Sequence, residues 1–207
     1  MKKYLVEFIG TFFLVFTVGM TVISPGVGAL APLAIGASLM VMVFAGGHIS
    51  GGHYNPAVTL AVWLRGKCET KDVVPYWLAQ LAAAAVAAYL VHFFKPPMEP
   101  GSLPIGIKAA LLAEFIFTFA LAWVVLNTAT AKGTAGNSFY GLAIGMTVMT
   151  GAFAVGNVSG GAFNPAVATG ITLMGLSSWG HYWIFLVSEL SAAAAAALTY
   201  KFVNGAD

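Results

Sequence analysis

Two identical triplets of asparagine, proline and alanine are the residues of this sequence best suited to chemistry with a polar solute. They are Asn55-Pro56-Ala57 and Asn164-Pro165-Ala166, each preceded at the same distance by a serine and two glycines. Asparagine before proline is typical of a helix start, because the asparagine side chain caps free amides and proline fits the first helical position. A capping asparagine still has amide N–H donors. The triplets therefore predict two helix N-termini that present hydrogen-bond donors.

The apolar segments that follow the triplets, Pro56–Arg65 and Pro165–Leu173, have ten and nine residues. A helix that crosses a bilayer needs about 20 residues, so neither segment can span one. Non-helical backbone at membrane depth is tolerated only where protein buries it or where it lines a watery cavity. We therefore expect two half-helices that enter the membrane and meet near its midplane, each aiming a partial positive charge at the same spot.

The composition is that of a membrane protein. Of the 207 residues, 59% are hydrophobic and 8% are charged, and the mean hydropathy is +0.88. Soluble domains carry about a quarter of their residues as charged side chains, which excludes a soluble enzyme and a disordered chain. A net charge of +2 is too small for binding nucleic acid. The single cysteine, Cys68, excludes an internal disulfide framework and a multi-cysteine metal site.

Six apolar stretches are long enough to cross a membrane. Together with the half-helices they predict an all-α membrane protein of six transmembrane helices and two re-entrant half-helices. A signal peptide is the alternative for the first stretch, but Glu7 interrupts its apolar core. The predicted spans are Tyr4–Ile23, Ala29–Gly47, Val73–Phe94, Lys108–Thr128, Ser138–Gly156 and His181–Val203.

The second half of the chain repeats the first. The segment that begins at Glu7 recurs at Glu114, 107 residues later, and the triplets recur after 109 residues (55 to 164). Three spans and a half-helix in each copy place the copies in opposite orientations, an arrangement whose paired broken helices mark a transport site. The chain is thus expected to be one channel domain, 1–207, built from inverted repeats of about 1–97 and 104–207.

Three glutamates fall inside predicted membrane helices, where an unpaired charge is costly. Glu7 and Glu114 occupy equivalent places in the repeats, so we expect each to accept backbone N–H bonds from a re-entrant loop as a buried scaffold. Glu189 has no acidic counterpart in the first repeat, where Gln80 is the nearest polar residue, and its role stays open.

Basic residues predict the orientation. With the N-terminus in the cytoplasm, seven of the nine basic residues lie inside and two outside, as the positive-inside rule requires. Both termini are then cytoplasmic. The inner residues are Lys2, Lys3, Arg65, Lys67, Lys71, Lys132 and Lys201, and the outer ones are Lys95 and Lys108.

Glycine-rich approaches to the triplets suit backbone that bends tightly and comes close to a lumen. Their carbonyl oxygens are expected to form a ladder of acceptors for a passing solute. The residues of this predicted ladder are Gly51, Gly52, His53, Tyr54, Gly160, Ala162 and Phe163.

Over essentially the whole chain these motifs resemble the aquaporin, or major intrinsic protein, family, and His48-Ile49-Ser50-Gly51 before the first triplet adds to the resemblance. The resemblance implies a right-handed helix bundle and a passive channel for water and small neutral solutes, with the half-helix dipoles excluding protons and cations. It also implies a homotetramer with one pore per subunit in the lipid bilayer, and no enzymatic activity, cofactor, metal or nucleic-acid partner. The compact chain favours a cell membrane, the inner or plasma membrane.

The sequence departs from the family at the outer constriction. Most aquaporins have an arginine three residues after the second asparagine, where this chain has Val167. The other three constriction positions are expected at Ile35, Ala152 and Gly161. Such a ring is wide and apolar, so we expect glycerol, urea, ammonia or hydrogen peroxide to pass as well as water. The opposite outcome is a ring that dewets and closes.

Two other functions fit the same repeats. Inverted repeats with broken helices also occur in ion- or proton-coupled secondary transporters. Such a transporter normally needs ionisable groups at the midplane site, where this sequence offers asparagine. The second alternative is a structural membrane protein of the same fold with a closed pore, which only a flux measurement separates from a channel.

Overall fold

The computed structural model describes residues 1–96 and 105–205. Within these ranges the chain forms eight α-helices and no β-strand. The predicted repeat boundaries at 97 and 104, and the end of the predicted domain at 207, lie outside the described residues. The helices are α1 Lys2–Val22, α2 Ala31–Ser50, α3 Pro56–Leu64, α4 Thr70–Phe94, α5 Ile107–Val125, α6 Tyr140–Ser159, α7 Pro165–Leu173 and α8 Tyr182–Asn204.

Six of these helices (α1, α2, α4, α5, α6 and α8) are long and apolar enough to cross a membrane. Large apolar side chains point away from the protein along them, for example Phe93, Leu198 and Phe202, which are 80%, 68% and 90% exposed. Water would penalise such a surface, whereas lipid does not. The chain is therefore an integral, multi-pass membrane protein with the predicted architecture of six spans and two half-helices.

The predicted spans differ from the helices by three residues at four ends. Helix α4 begins at Thr70 rather than Val73, and α5 ends at Val125 rather than Thr128, where a π-helical turn, Leu126–Thr130, continues it. Helices α2 and α6 extend three residues beyond the predicted Gly47 and Gly156, to Ser50 and Ser159. Glycines inside an apolar helix do not end it when neighbouring helices pack closely. Each helix instead ends where the next glycine turns left-handed, at Gly51 (φ 91°) and at its counterpart in the second half (φ 99°).

Each half-helix packs into the other half of the protein. Helix α3 contacts α5 and α8, and α7 contacts α1 and α4. The bounds of α7 are those predicted, whereas α3 ends one residue early because Arg65 is its C-cap. The two repeats are thus interlocked, and the N-termini of α3 and α7 are brought together in the interior.

Helices α2 and α6 make the closest contact between the long helices of the two halves. A Cβ atom on Gly36 would lie 2.6 Å from the Cβ of Met149, and one on Gly145 would lie 2.6 Å from the Cβ of Met40. Real Cβ atoms do not approach so closely, so only glycine fits at either position. Small residues of this kind let membrane helices pack backbone to backbone.

Candidate functional site

The two triplet asparagines cap the half-helices. The Asn55 Oδ1 atom accepts hydrogen bonds from the backbone N–H groups of Ala57 (2.8 Å) and Val58 (3.3 Å). The Asn164 Oδ1 atom accepts one from the N–H of Ala166, at 2.9 Å. Both asparagines are 3% exposed. Each side chain therefore satisfies amides at a helix start that would otherwise be unpaired in the interior.

The same asparagines also join the two halves. Asn55 Nδ2 donates to the carbonyl oxygen of Phe163, and Asn164 Nδ2 donates to the carbonyl oxygen of Tyr54, both at 2.9 Å. An amide nitrogen carries two protons, so each asparagine has one further donor. The two carbonyls belong to the predicted ladder, and each now has one lone pair left for a solute.

The residues before the asparagines have a left-handed backbone. Tyr54 has φ 48° and Phe163 has φ 50°, values rare for bulky residues. Their rings fill space left by glycines, because the Tyr54 ring lies where a Cβ on Gly10 would be and the Phe163 ring lies against Gly151. The Tyr54 hydroxyl donates to the carbonyl of Met42 at 2.9 Å. This conformation brings each carbonyl to the opposite asparagine, and no sequence pattern predicts it.

Glu7 holds the first re-entrant loop. It is fully buried and accepts four hydrogen bonds from donors among the described residues. The donors are the Ser50 hydroxyl (2.7 Å), the backbone N–H groups of His53 (3.0 Å) and Tyr54 (2.6 Å), and the Gln80 side-chain amide (2.8 Å). Four hydrogen bonds offset the cost of removing a carboxylate from water.

Glu114 makes the equivalent contacts in the second half. It is fully buried and accepts from the Ser159 hydroxyl (2.6 Å) and from the N–H groups of Ala162 (3.1 Å) and Phe163 (2.7 Å). Serine hydroxyl and two consecutive loop amides are the same donor types, in the same order, as in the first half. Each loop is therefore fastened to the first helix of its own repeat.

Glu189 lies where the first half has Gln80. The spacing of 109 residues (80 to 189) equals that of the triplets, and this is the sequence signal that identifies its counterpart. Its Oε1 atom accepts from the backbone N–H of Asn164 at 2.9 Å. Phe163, the residue before Asn164, donates its backbone N–H to Glu114 at 2.7 Å, so the two carboxyl groups accept consecutive amides of the second loop. The sequence left this residue without a role, and the structure places it directly behind the second triplet.

Thr59 connects the first triplet to His53. Its hydroxyl donates to the Asn55 carbonyl at 3.0 Å and receives a hydrogen bond from Gln80 Nε2 at 3.1 Å. Since its single proton is used, it must also accept from His53 Nδ1, which lies 3.1 Å away. The His53 proton is therefore on Nδ1, and Nε2 is left as an acceptor.

A central cavity of about 70 Å³, enough for several water molecules, joins the two triplets. Both asparagines line it, and none of its lining residues within the described ranges is charged. The Ser177 hydroxyl also lines it, buried and without a partner among the described residues. The four predicted constriction residues line this same cavity: Ile35, Ala152, Gly161 and Val167.

Five of the seven predicted ladder residues line this cavity or the wider space next to it, whereas Tyr54 and Phe163 are not among the lining residues. Gly51 lines only two wider cavities of about 460 and 510 Å³, whereas His53 borders both the central cavity and the first of these. Lys3, Lys67 and Lys132 lie around the wider cavities. The ladder residues that line the central cavity are Gly52, His53, Gly160 and Ala162.

Comparison with known proteins decides the family. The sequence model described as "Major intrinsic protein" matches residues 1–200. The chain belongs to the major intrinsic protein family. Members of this family are passive channels and not enzymes, so the chain is a membrane channel of the type that conducts water and small solutes.

Two relatives cover the chain almost end to end. Aquaporin NIP1-4 of Oryza sativa subsp. japonica is 35% identical over 99% of this chain and 77% of its own length. Glycerol uptake facilitator protein-like 6 of Lactiplantibacillus plantarum is 34% identical over the full length of both. The aquaglyceroporin of Plasmodium falciparum superposes with a TM-score of 0.81 at 22% identity, over 97% of this chain and 95% of that chain, and so has the same fold.

Proposed function

We propose that this major intrinsic protein conducts water and also larger neutral solutes, such as glycerol, urea, ammonia and hydrogen peroxide, down their gradients. The observation that carries the proposal is the central cavity, where two donor asparagines and an uncharged apolar ring lie together. A passing molecule meets hydrogen-bonding groups only at a few positions and apolar walls elsewhere. Such a lining favours small uncharged molecules that tolerate partial loss of their hydration.

Water is oriented at the two asparagines. A water oxygen that accepts the remaining N–H of Asn55 or Asn164 turns its own hydrogens away from the triplets and toward neighbouring waters. This orientation interrupts a chain of hydrogen bonds along which protons would move. The N-termini of α3 and α7 add partial positive charge at the same place, so cations are repelled as well.

The outer ring widens the range of solutes. An arginine at position 167 would supply a fixed charge and up to five N–H donors. Valine supplies neither, and Gly161 adds no side chain at all, which leaves space for a polyol. Two of the similar proteins are named for glycerol, the glycerol uptake facilitator-like protein and the aquaglyceroporin. Both names agree with a channel that is not restricted to water.

Coupling to ions is not favoured by the placement of the acidic residues. Glu7, Glu114 and Glu189 are each bound to backbone amides behind the loops, and none of them lines the central cavity. A coupled transporter needs ionisable groups in contact with its substrate or ion. Passive flow of solutes down their gradients therefore accounts better for the arrangement of the site than coupled transport does.

We further propose that both termini are cytoplasmic, that the channel lies in a cell membrane, the inner or plasma membrane, and that four copies assemble with one pore each. The lysines around the wider cavities support this orientation, because they mark one mouth as the basic side. Protease access to terminal tags in sealed vesicles tests the orientation. The mass of the protein in mild detergent tests the assembly.

Reconstitution into liposomes tests the proposed function. Stopped-flow light scattering should show fast water flow and fast entry of glycerol and urea, relative to empty liposomes. We expect Val167→Arg to lower glycerol and urea entry about tenfold, a barrier change of about 1.4 kcal/mol, with a smaller effect on water. Val167→Leu is the matched control, because it adds bulk without charge or donors.

The outcome that would contradict the proposal is fast water flow with no glycerol or urea entry above that of empty liposomes. A solute flux that requires a sodium or proton gradient would favour the coupled transporter instead. No flux of any solute would favour the closed-pore structural protein.

A further inference from the structure

Gln80 and Glu189 occupy the same place in the two repeats but differ in chemistry. Gln80 is fully buried, and its Nε2 atom donates to both Glu7 (2.8 Å) and the Thr59 hydroxyl (3.1 Å). The carboxylate of Glu7 therefore meets only hydrogen-bond donors. In the first half, the residue at this position therefore supplies a hydrogen-bond donor to the scaffold glutamate.

Glu189 fills that position with a carboxyl group. It is fully buried, and its Oε1 atom accepts the N–H of Asn164 at 2.9 Å. Its Oε2 atom has no hydrogen-bond donor among the described residues. The Glu114 carboxyl accepts three hydrogen bonds from its own loop, and one of them comes from Phe163, whose amide precedes the Asn164 amide that Glu189 accepts. Two ionised carboxylates on consecutive amides would repel each other, because neither is exposed to solvent.

Few charged groups face this pair. Among the elements packed against α8, the half-helices α3 and α7 contain no titratable residue within their bounds. Helix α5 contributes Glu114 and Lys108, and Lys108 is exposed at the start of that helix, six residues from Glu114. Arg65, just beyond α3, stacks on the Tyr200 ring, eleven residues further along α8 than Glu189. The short helix Trp179–His181 also packs against α8 and contributes His181, eight residues before Glu189 (181 to 189), and α8 itself carries Lys201, twelve residues after it (189 to 201). Apart from Arg65, these groups are therefore at least six residues along the chain from Glu114 or Glu189.

We propose that Glu189 is a positioning residue that carries a proton and donates it in a hydrogen bond to Glu114, as the Gln80 amide does to Glu7. One Glu189 oxygen then accepts from Asn164 and the other donates to Glu114, so the neutral acid ties the second triplet to its scaffold glutamate. Loss of the proton to solvent would place a second negative charge behind the N-terminus of α7. It would also separate the two carboxyl groups and loosen the second loop.

The predicted effect on permeability rests on the proposed function, since a loosened second loop would lower the water permeability of the channel. We expect Glu189→Gln to keep water permeability within about twofold of the wild type, because glutamine supplies the same acceptor and donor. Glu189→Leu supplies neither and should lower it about tenfold or more. In the first half, Gln80→Glu installs the same acid pair with Glu7 and should remain active at neutral pH.

The pH dependence of water permeability distinguishes a role of the Glu189 proton from a role of Glu189 in packing alone. Wild-type and Gln80→Glu channels should lose permeability as the pH rises from neutral to alkaline, whereas Glu189→Gln should not share the wild-type decline. The decline follows loss of a proton and so is absent at acidic pH. If the permeability of Glu189→Gln declines at alkaline pH as much as that of the wild type, the assignment of the titrating proton to Glu189 is overturned.

Infrared spectroscopy tests the proton without any flux. The reconstituted wild type should show the C=O stretch of a protonated carboxylic acid at neutral pH, and Glu189→Gln should lack it. Absence of this band from the wild type, or a Glu189→Gln channel as impaired or unstable as Glu189→Leu, would overturn the proposal. Because the band does not depend on transport, a wild type without water flux would contradict the proposed function and leave this test standing.

Discussion

The two re-entrant loops share the same backbone hydrogen bonds but differ in the side chains that surround them. In both, a glutamate binds a serine hydroxyl and two consecutive loop amides, and an asparagine bonds to the carbonyl of the opposite loop. The first loop adds a polar network through His53, Tyr54 and Thr59. The equivalent residues 109 positions later are Ala162, Phe163 and Ala168, which have no polar side chain.

The comparison of the two loops indicates which interactions the site requires. Both loops keep the backbone bonds to a glutamate and the bonds between the halves, so these define the pair of half-helices. The first loop is further fixed by the hydrogen bonds of Thr59 and Gln80. The second loop has no polar side chain at the positions of His53 and Thr59, and beyond the shared bonds it has Glu189 in place of Gln80. Changes to the shared bonds should therefore have the largest effects, and changes at the unshared positions smaller ones.

Removing a scaffold glutamate should have the largest effect on stability. Glu7→Leu leaves four buried donors without their acceptor, and Glu114→Leu leaves the three donors of the second loop together with the Glu189 proton proposed above. Each unsatisfied donor costs about 1–3 kcal/mol, so we expect little folded protein from either variant. Size-exclusion chromatography in detergent and thermal unfolding measure this.

Glu69→Gln is the control for these variants, because Glu69 is exposed and its ion pair within the described part of the chain is with the exposed Lys71. It should behave as the wild type. Normal yield and unfolding temperature for Glu7→Leu would show that the glutamate does not hold the first loop.

Removing a triplet asparagine should have an intermediate effect. Asn55→Ala removes the acceptor of two backbone N–H groups and Asn164→Ala the acceptor of one, and each also removes one bond between the halves. A lost cap costs about 1 kcal/mol and a lost hydrogen bond about as much. Asn55→Ala should therefore lower the unfolding temperature more than Asn164→Ala.

Both variants should also raise the proton permeability of liposomes, since each removes a donor that orients water. A lower unfolding temperature for Asn164→Ala than for Asn55→Ala would mean that the number of cap hydrogen bonds does not determine the difference in stability. Unchanged proton leakage in both would contradict the proposed role of the asparagines.

The half-helices were predictable because their signal is local. Asparagine caps and proline begins each helix, so the start of α7 follows from Asn164 and Pro165. The ends of α2 and α6 were not, because the glycines at 47 and 156 look like stops when the packing around them is unknown. The family was recognisable from the duplicated motifs and is confirmed by the family match.

Other parts of the site depend on contacts between distant residues. The left-handed backbone of Tyr54 and Phe163 contradicts the ordinary preference of aromatic residues. It is stabilised by the opposite asparagines, by the scaffold glutamates that accept the two amides and by the glycine-lined space. Glu114 and Glu189 accept consecutive amides of the second loop, although they lie 75 residues apart (114 to 189) on different helices. No local pattern encodes it, although the repeat spacing points to Gln80 as the residue to compare.

The smallest effect is expected at Cys68 and Ser177, the same position in the two repeats. Cys68 borders a wider cavity beside Lys67. Burial raises the pKa of the Cys68 thiol above its ordinary value of 9.0, so the reactive thiolate is scarce at neutral pH and labelling should accelerate as the pH rises. Cys68→Ser should leave water flow unchanged.

The loops that contain Cys68 and Ser177 also test whether the repeats are inverted. An impermeant thiol reagent should reach Cys68 from one side of the membrane. It should reach the Trp179→Cys variant, made on the Cys68→Ser background, only from the other side, because Trp179 is exposed in the loop of the buried Ser177. Labelling of both from the same side would contradict the inverted arrangement.

The most direct test of the central claim is a comparison of water, glycerol and ion permeability in one batch of wild-type liposomes. If the uncharged cavity between the triplets is a pore for neutral solutes, then water and glycerol should both cross much faster than in empty liposomes. Sodium and proton leakage should stay at the empty-liposome level. Ion leakage that rises together with water flow, or water flow without glycerol entry, would contradict the claim.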